Sequence, residues 1–188
     1  MAEVYVSVDV ETSGPIPPAY SMLALGACLV NAPEVTFYAE LRPIGPRAVP
    51  EAMEVIGRPL EDFAASGRDP QEVMVAFRDW LTVAAGDGEI VFVGFNATFD
   101  WAFVNWYFHT YVGDNPFGIG GIDIKSFYMG QTNARWEDTR SSRLPSELQE
   151  HDALEHHALA DAARQGRLFR KLRWTRPGGQ AGERRDSR

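Results

Sequence analysis

Valines at every second position mark the N-terminal stretch of this chain as a β-strand. They occupy positions 4, 6, 8 and 10, the two-residue period of a strand that buries one face. Asp9 and Glu11 lie on the other face, so both carboxylates point to the same side. Carboxylates placed side by side at the end of an interior strand repel each other and lose hydration. The pattern predicts either a site for a divalent cation, since Mg²⁺ and Mn²⁺ prefer hard oxygen ligands, or a strand that runs out into solvent.

The rest of the hydrophobic pattern predicts an α/β fold with a mixed sheet. Short connections join the first three predicted strands, which we expect to form an antiparallel meander with the valine strand inside. Asp69 followed by Pro70 is a typical helix start, and Gly86 ends that helix. The predicted strands are 4–10, 21–30, 34–41, 90–93 and 122–124; the predicted helices are 50–55, 59–63, 70–85, 98–111, 125–129 and 158–172.

The composition is that of one globular domain. The chain has 188 residues, of which 45% are hydrophobic and 23% charged. No apolar stretch reaches the ~20 residues that a membrane-spanning helix needs, and the N-terminus enters the strand pattern without a basic leader. Cys28 is the single cysteine and lies in an apolar run, which excludes an internal disulfide. We therefore expect a soluble protein of the reducing cytoplasm with no membrane contact.

Charge is distributed unevenly along the chain. The net charge is −8, yet residues 164–188 contain nine of the 18 basic residues and only two of the 26 acidic ones. An acidic body argues against broad binding of a phosphate backbone by surface charge alone. A nucleic-acid partner would need bound metal or the basic end of the chain. We expect residues 1–175 to form the domain and residues 176–188 to form a disordered basic tail.

Two later aspartates fit the opening pair. Asp100 lies in the first turn of a predicted helix, where the alternative is a favourable charge at the helix N-terminus. Asp161 lies one turn into the last helix, where the alternative is a solvated acid. His156 precedes Asp161 by five residues, so the two could share a site only if the helix starts after His156. The imidazole would then suit a general base near metal ligands, although His157 could serve instead.

Three segments resemble the exonuclease motifs of the DEDDh superfamily, which includes polymerase proofreading subunits, ribonuclease T and oligoribonuclease. They are Asp-Val-Glu-Thr-Ser-Gly at 9–14, Asn-Ala-Thr-Phe-Asp at 96–100 and His-His-Ala-Leu-Ala-Asp-Ala at 156–162, in the family's order. The likeness covers about residues 3–172. It implies a ribonuclease-H-like α/β fold, with a five-stranded mixed sheet flanked by helices.

The resemblance also implies an activity: metal-dependent 3′→5′ exonucleolysis of single-stranded RNA or DNA, or of short oligonucleotides, that starts at a free 3′ end and releases 5′-mononucleotides. Two divalent cations, Mg²⁺ or Mn²⁺, are the implied cofactors. The implied metal ligands are Asp9, Glu11, Asp100 and Asp161, and His156 is the implied base for the attacking water. Thr12, Ser13 and Asn96 are assigned to substrate binding by the same resemblance.

Departures from the family pattern leave the substrate open. Phe95 stands where many relatives have histidine, and Leu23-Ala24-Leu25-Gly26 stands where many have a glutamate. Both changes concern substrate positioning, so RNA and DNA remain alternatives. A proofreading-type polymerase subunit and a non-catalytic nucleic-acid-binding module are the competing functions. Several relatives are homodimers, and the sequence leaves a homodimer open.

Overall fold

The computed structural model describes residues 2–149 and 156–174. The expected disordered tail, 176–188, lies outside the described residues. The strands are β1 (Glu3–Thr12), β2 (Met22–Leu29), β3 (Thr36–Glu40), β4 (Glu89–Gly94) and β5 (Gly121–Asp123). The helices are α1 (Pro50–Ile56), α2 (Leu60–Ser66), α3 (Pro70–Ala85), α4 (Ala97–Tyr111), α5 (Ile124–Thr132) and α6 (Ala158–Trp174), and two 3-10 turns lie at Trp136–Thr139 and Ser141–Arg143.

The sheet has the order β3-β2-β1-β4-β5, with the valine strand at its centre. β1 pairs antiparallel with β2 and parallel with β4, while β2–β3 is antiparallel and β4–β5 parallel. The predicted five-stranded mixed sheet and its N-terminal meander are therefore confirmed. Because β1 and β4 are parallel neighbours, their C-terminal ends meet at one edge, where the loops to the following segments begin.

The two faces of β1 enter different environments. Val6, Val8 and Val10 are buried in a core that includes aromatic residues of α3 and α4, such as Phe77 and Phe108. On the other face Tyr5 packs in a second cluster with residues of α5 and α6. Apolar positions with a period of two thus bury one face against two helices, and the acids lie on the face toward α6.

Two glycines let α6 lie directly on the sheet. A Cβ on Gly26 of β2 would lie 2.2 Å from the carbonyl carbon of Ala158, at the start of α6. A Cβ on Gly166 would lie 3.3 Å from that of Ser7 on β1. Gly26 is the register partner of Asp9, so the close approach brings the first turn of α6 to the acidic end of β1.

The helix and strand boundaries differ from the predicted ones by a few residues. β3 begins at Thr36, later than expected, because Val35 N donates to Ala32 O at 2.9 Å and closes a turn. α5 begins at Ile124, where the Asp123 carboxylate accepts from Ser126 N at 2.7 Å and caps the helix. Among the described residues no helix is both long enough and apolar enough to cross a bilayer.

Candidate active site

Three of the four predicted metal ligands meet at the C-terminal end of β1. Asp9, Glu11 and Asp161 each offer a carboxylate oxygen, and these oxygens all lie within 4.8 Å of one another. The strand period puts Asp9 and Glu11 on the same face. Asp161, in the first turn of α6, reaches them because the helix start rests on Gly26.

Asp100, on the neighbouring helix, is held next to this group by a backbone hydrogen bond of β1. It lies in the first turn of α4 and is 4% exposed. Its Oδ1 accepts a hydrogen bond from Val10 N at 3.0 Å, which fixes the start of α4 to β1 between the two other acids. This carboxylate does not share the 4.8 Å triad. Its charge nevertheless acts on Asp9, whose pKa it helps to raise.

Burial and mutual repulsion raise the pKa values of these acids. The pKa of Asp9 is raised well above its ordinary value, first by burial and then by the charges of Asp100, Asp161 and Glu11. Burial, followed by the charge of Asp161, raises the pKa of Glu11 to about 7. Burial also raises the pKa of Asp100 to about 7, against hydrogen bonds from backbone N–H groups. Without a counter-ion, the ionised carboxylates of the site repel one another.

The donor set fits a divalent cation. It consists of hard carboxylate oxygens only, the ligand type that Mg²⁺ and Mn²⁺ prefer. A bound cation would relieve the repulsion that raises the three pKa values. Cysteine and histidine ligands are absent from this described cluster, so it differs from a structural zinc site.

Two polar residues of α6 also belong to the site, and the sequence reasoning missed both. Gln165 Nε2 donates to Asp9 Oδ1, and its Oε1 accepts from Phe95 N at 2.7 Å. One buried amide on α6 therefore links Asp9 to the backbone just after β4. Arg164 forms an ion pair with Asp161. Their spacing to Asp161, three and four residues, places all three on one helix face and was the signal available in the sequence.

The two adjacent histidines have different surroundings. α6 begins at Ala158, so the expectation that the helix starts after His156 is confirmed. His156 is exposed and has a left-handed φ of 41°, which non-glycine residues rarely adopt. The His157 ring instead stacks on Tyr38 of β3, with centroids 4.5 Å apart, and its carbonyl accepts from Asp161 N.

The residues assigned to substrate binding lie on the two loops beside the acids. Asn96 is exposed, with φ 67°, and caps nothing with its side chain. Thr12 is buried, and its hydroxyl donates to Gly14 O at 2.9 Å. Ser13 is fully buried; its hydroxyl donates to Arg47 O and accepts from Ser21 N. The Ser13 hydroxyl is therefore used within the loop, and the assignment of this residue to substrate binding stays a prediction that would involve its backbone.

A cavity of about 390 Å³ opens beside the acids. This volume falls in the range of small-ligand sites. Its lining combines polar and charged side chains with apolar ones. The lining residues are Asp9, Asp161, Arg164, Gln165, Ser141, Ser142, Gln149, Phe95, Leu144, Leu148 and Leu168.

Known proteins resemble this chain in sequence and in fold. It is 51% identical over 171 residues to the 3′-5′ DNA exonuclease Cap18 of Escherichia coli, covering 90% of this chain and 91% of that protein. The nuclease domain of 3′hExo, a DEDDh family member bound to rAMP, superposes with a TM-score of 0.73 at 16% identity, covering 92% of this chain and 93% of that one.

A zinc-bound E. coli ExoI–ssDNA complex gives a TM-score of 0.68 at 16% identity, covering 94% of this chain and 42% of that one. No family model matches the chain. The structural likenesses, at such low identity, establish the fold. The relationship to Cap18 extends along nearly the whole of both chains and establishes the family. The protein belongs to the family of 3′→5′ exonucleases that includes Cap18, and it has the fold of DEDDh exonucleases such as 3′hExo.

Proposed function

We propose that this exonuclease removes 5′-mononucleotides from the 3′ end of single-stranded DNA with the help of two divalent cations, Mg²⁺ or Mn²⁺. The observation that carries the proposal is the carboxylate triad, whose oxygens lie within 4.8 Å of one another at the end of the central strand. DNA is favoured because the relative at 51% identity is named a DNA exonuclease. A single strand is favoured because ExoI, a structural neighbour, has been seen in complex with ssDNA.

The four carboxylates have distinct roles in this proposal. Asp9, Glu11 and Asp161 would hold one cation, and Asp9 would also be a ligand of the second. Asp100, bonded to Val10 N, completes the site directly or through water. When bound, such a cation pair stabilises the attacking and leaving oxygens of an in-line displacement at phosphorus. It also offsets the negative charge that an acidic protein presents to a phosphodiester.

His156 is the proposed general base. The attacking water gives a proton to the imidazole and its oxygen bonds to phosphorus. The bond to the 3′ oxygen of the preceding nucleotide breaks, and that oxygen takes up a proton from solvent. The products are a 5′-mononucleotide and a strand shortened by one residue with a free 3′ hydroxyl. We assign the base to His156 and not to His157 because the His157 ring stacks on Tyr38 of β3.

Thr12 and Asn96 are the proposed contacts to the terminal nucleotide. Both lie where the chain leaves a strand of the site, Thr12 at the end of β1 and Asn96 just after β4. Within the described residues the Asn96 side chain makes no capping hydrogen bond, and it is exposed, so it can reach a ligand. Thr12 contributes mainly through its backbone, because its hydroxyl bonds to Gly14 O. Next to Thr12, Ser13 stabilises the loop through the hydrogen bonds of its hydroxyl with Arg47 O and Ser21 N.

Digestion of a 5′-labelled single strand tests the proposal. With Mg²⁺ or Mn²⁺, matched DNA and RNA strands are incubated with wild type and with Glu11→Gln. We expect a ladder that shortens from the 3′ end, forms faster on DNA, and is absent in chelator and in the variant. Internal cuts, or cleavage that persists in chelator, would contradict the mechanism. Faster cleavage of RNA would contradict only the choice of DNA as substrate and would leave the mechanism standing.

A further inference from the structure

An exposed tryptophan packs against a lysine that also lies near Phe95, a residue that lines the cavity beside the acids. Trp136, in the first 3-10 turn, is 54% exposed. The Lys125 ammonium lies 3.9 Å from its ring centroid and 6.0 Å from that of Phe95. We propose that Phe95, Lys125 and Trp136, here called the upstream track, bind single-stranded nucleic acid on the 5′ side of the nucleotide being removed. This inference rests on the proposed function, because it takes the 3′ end to lie at the acids.

The upstream track is continuous with the site. Phe95 lines the same cavity as Asp9, and its backbone N–H bonds to Gln165, which in turn bonds to Asp9. Lys125 lies in the first turn of α5, whose start is capped by Asp123. The other oxygen of Asp123 accepts from Ala97 N at 2.7 Å and fixes the start of α4. The lysine is thus held on the elements that position Asp100.

The track carries local positive charge on an acidic protein. Among the residues that the structure describes, Lys125 makes cation–π contacts and no ion pair with a carboxylate. In the adjoining segment 135–143, Arg135 and Arg143 pair with Glu137 and Asp138. Arg140 is exposed and, within the described ranges, has no carboxylate partner. The positive charges of Lys125 and Arg140 are complementary to the negative charge of a phosphodiester chain.

Chemistry and position together identify the occupant. A strand whose 3′ end reaches the acids can place only its upstream nucleotides on a neighbouring surface. Aromatic rings bind bases by stacking and cations bind the phosphates between them, which is the usual composition of a sequence-tolerant single-strand site. Trp136 and Phe95 supply the rings, and Lys125 between them supplies the cation.

Trp174 provides a matched control for Trp136. It is 53% exposed, almost the same fraction as Trp136, but it lies at the far end of α6 and packs edge-on against Tyr5. Binding of a labelled DNA strand of about ten nucleotides is followed by fluorescence anisotropy in chelator, where no strand is cut. We expect Trp136→Ala to raise Kd about 5- to 150-fold, the loss of one stacked base, and Trp136→Phe to restore part of the affinity. Trp174→Ala should leave Kd unchanged.

The role of Lys125 has its own readout. Removing one cation from a single-strand contact lowers the slope of log Kd against log salt concentration by about 0.7. Lys125→Gln should show this change, whereas Arg78→Gln on α3 should keep the wild-type slope. In Mg²⁺, the Trp136→Ala variant should also lose more kcat/KM on the long strand than on a dinucleotide.

Several outcomes would overturn the track. Equal Kd values for Trp136→Ala and wild type would do so, whether or not the wild type cleaves 3′ ends, and would assign the patch to a protein partner. Equal losses for Trp136→Ala and Trp174→Ala would also contradict it. The opposite combination is also informative. If the wild type cuts no 3′ end while Trp136→Ala still binds the strand more weakly than wild type, the track stands and the proposed function is refuted. Thermal unfolding of each variant verifies that the fold is intact.

Discussion

The two faces of β1 alternate along one strand and have opposite effects on the molecule. The valine face packs Val6, Val8 and Val10 into a dry aromatic core, which stabilises the fold. The opposite face ends in Asp9 and Glu11, whose raised pKa values indicate that their ionised forms are disfavoured there. This face stabilises the fold only at its start, where Tyr5 packs in the second buried cluster, and not at its end, where Asp9 and Glu11 lie.

Removing the proposed base should lower catalytic activity more than the other substitutions considered below, and it changes neither face of β1. We expect His156→Ala to lower kcat about 10²–10⁴-fold, since the attacking water loses its proton acceptor. His157→Ala should change kcat only slightly, because its ring stacks on Tyr38. Steady-state kinetics on a labelled strand, together with metal binding by calorimetry, measures both. A larger loss from His157→Ala would assign the base to that residue.

Gly26→Ala should damage the acidic face while leaving the valine core untouched. The new Cβ would lie 2.2 Å from the Ala158 carbonyl carbon, so the start of α6 must shift and carry Asp161 away from Asp9. A displacement of about 1 Å at a catalytic site can cost about 10²-fold in rate. Overpacking of this kind also costs about 1–3 kcal/mol of stability.

Gly45→Ala is the matched control, because a Cβ there would meet no atom within 4 Å. Rates and unfolding free energies of the two variants are compared with wild type. Equal activity in Gly26→Ala and Gly45→Ala would mean that the close approach of α6 does not position Asp161.

Gln165→Leu tests the link between Asp9 and β4. The substitution removes the hydrogen bond to Asp9 and leaves Phe95 N without its acceptor. Loss of such a partner to a metal ligand typically lowers metal affinity about 10–100-fold, and we expect this range for Mn²⁺ binding by calorimetry. Gln131→Leu removes a comparable amide bond, to Leu172 O, far from the acids and should leave Mn²⁺ affinity unchanged. Equal Mn²⁺ affinities in the two variants would show that the hydrogen bond from Gln165 to Asp9 does not contribute to metal binding.

The pH dependence of stability sharpens the comparison further. The pKa of Glu11 rises from 4.5 to about 7, and that of Asp100 from 3.8 to about 7. Between these values the folded protein binds more protons than the unfolded chain, so the free energy of unfolding falls as pH rises. We expect this fall between about pH 4 and pH 7 in chelator, by urea unfolding, and its reduction in Mg²⁺. A metal-free protein that gains stability across this window would contradict the repulsion.

Much of the fold and most of the acid cluster could be predicted from local sequence. The valine period fixes which face of β1 carries Asp9 and Glu11, and the segments around Asp100 and Asp161 resemble known motifs. Gln165 could not be recognised with the same ease, because its function depends on Phe95 N, 70 residues away. Its helical spacing from Asp161 was the only local signal.

Two other features depend on tertiary contacts that no local pattern encodes. Gly26 lies inside a buried apolar strand, and its reason for being glycine is the backbone of Ala158 on a distant helix. Ser13 resembles a motif residue open to substrate, yet its hydroxyl is used by Arg47 O and Ser21 N across a folded loop. Burial and long-range hydrogen bonds decided both, and neither leaves a periodic trace in the sequence.

Thermal unfolding of Asp9→Asn beside Val8→Ala, in chelator at about pH 8, tests most directly whether the two faces of β1 differ as described. Asn can still accept the bond from Gln165, while the charge that Asp100, Asp161 and Glu11 oppose is gone. We predict a higher Tm than wild type, no further rise on adding Mg²⁺, and no detectable nuclease activity. Val8→Ala should lower Tm through a core cavity and keep measurable activity. A lower Tm for Asp9→Asn in chelator, or retained cleavage, would contradict the account.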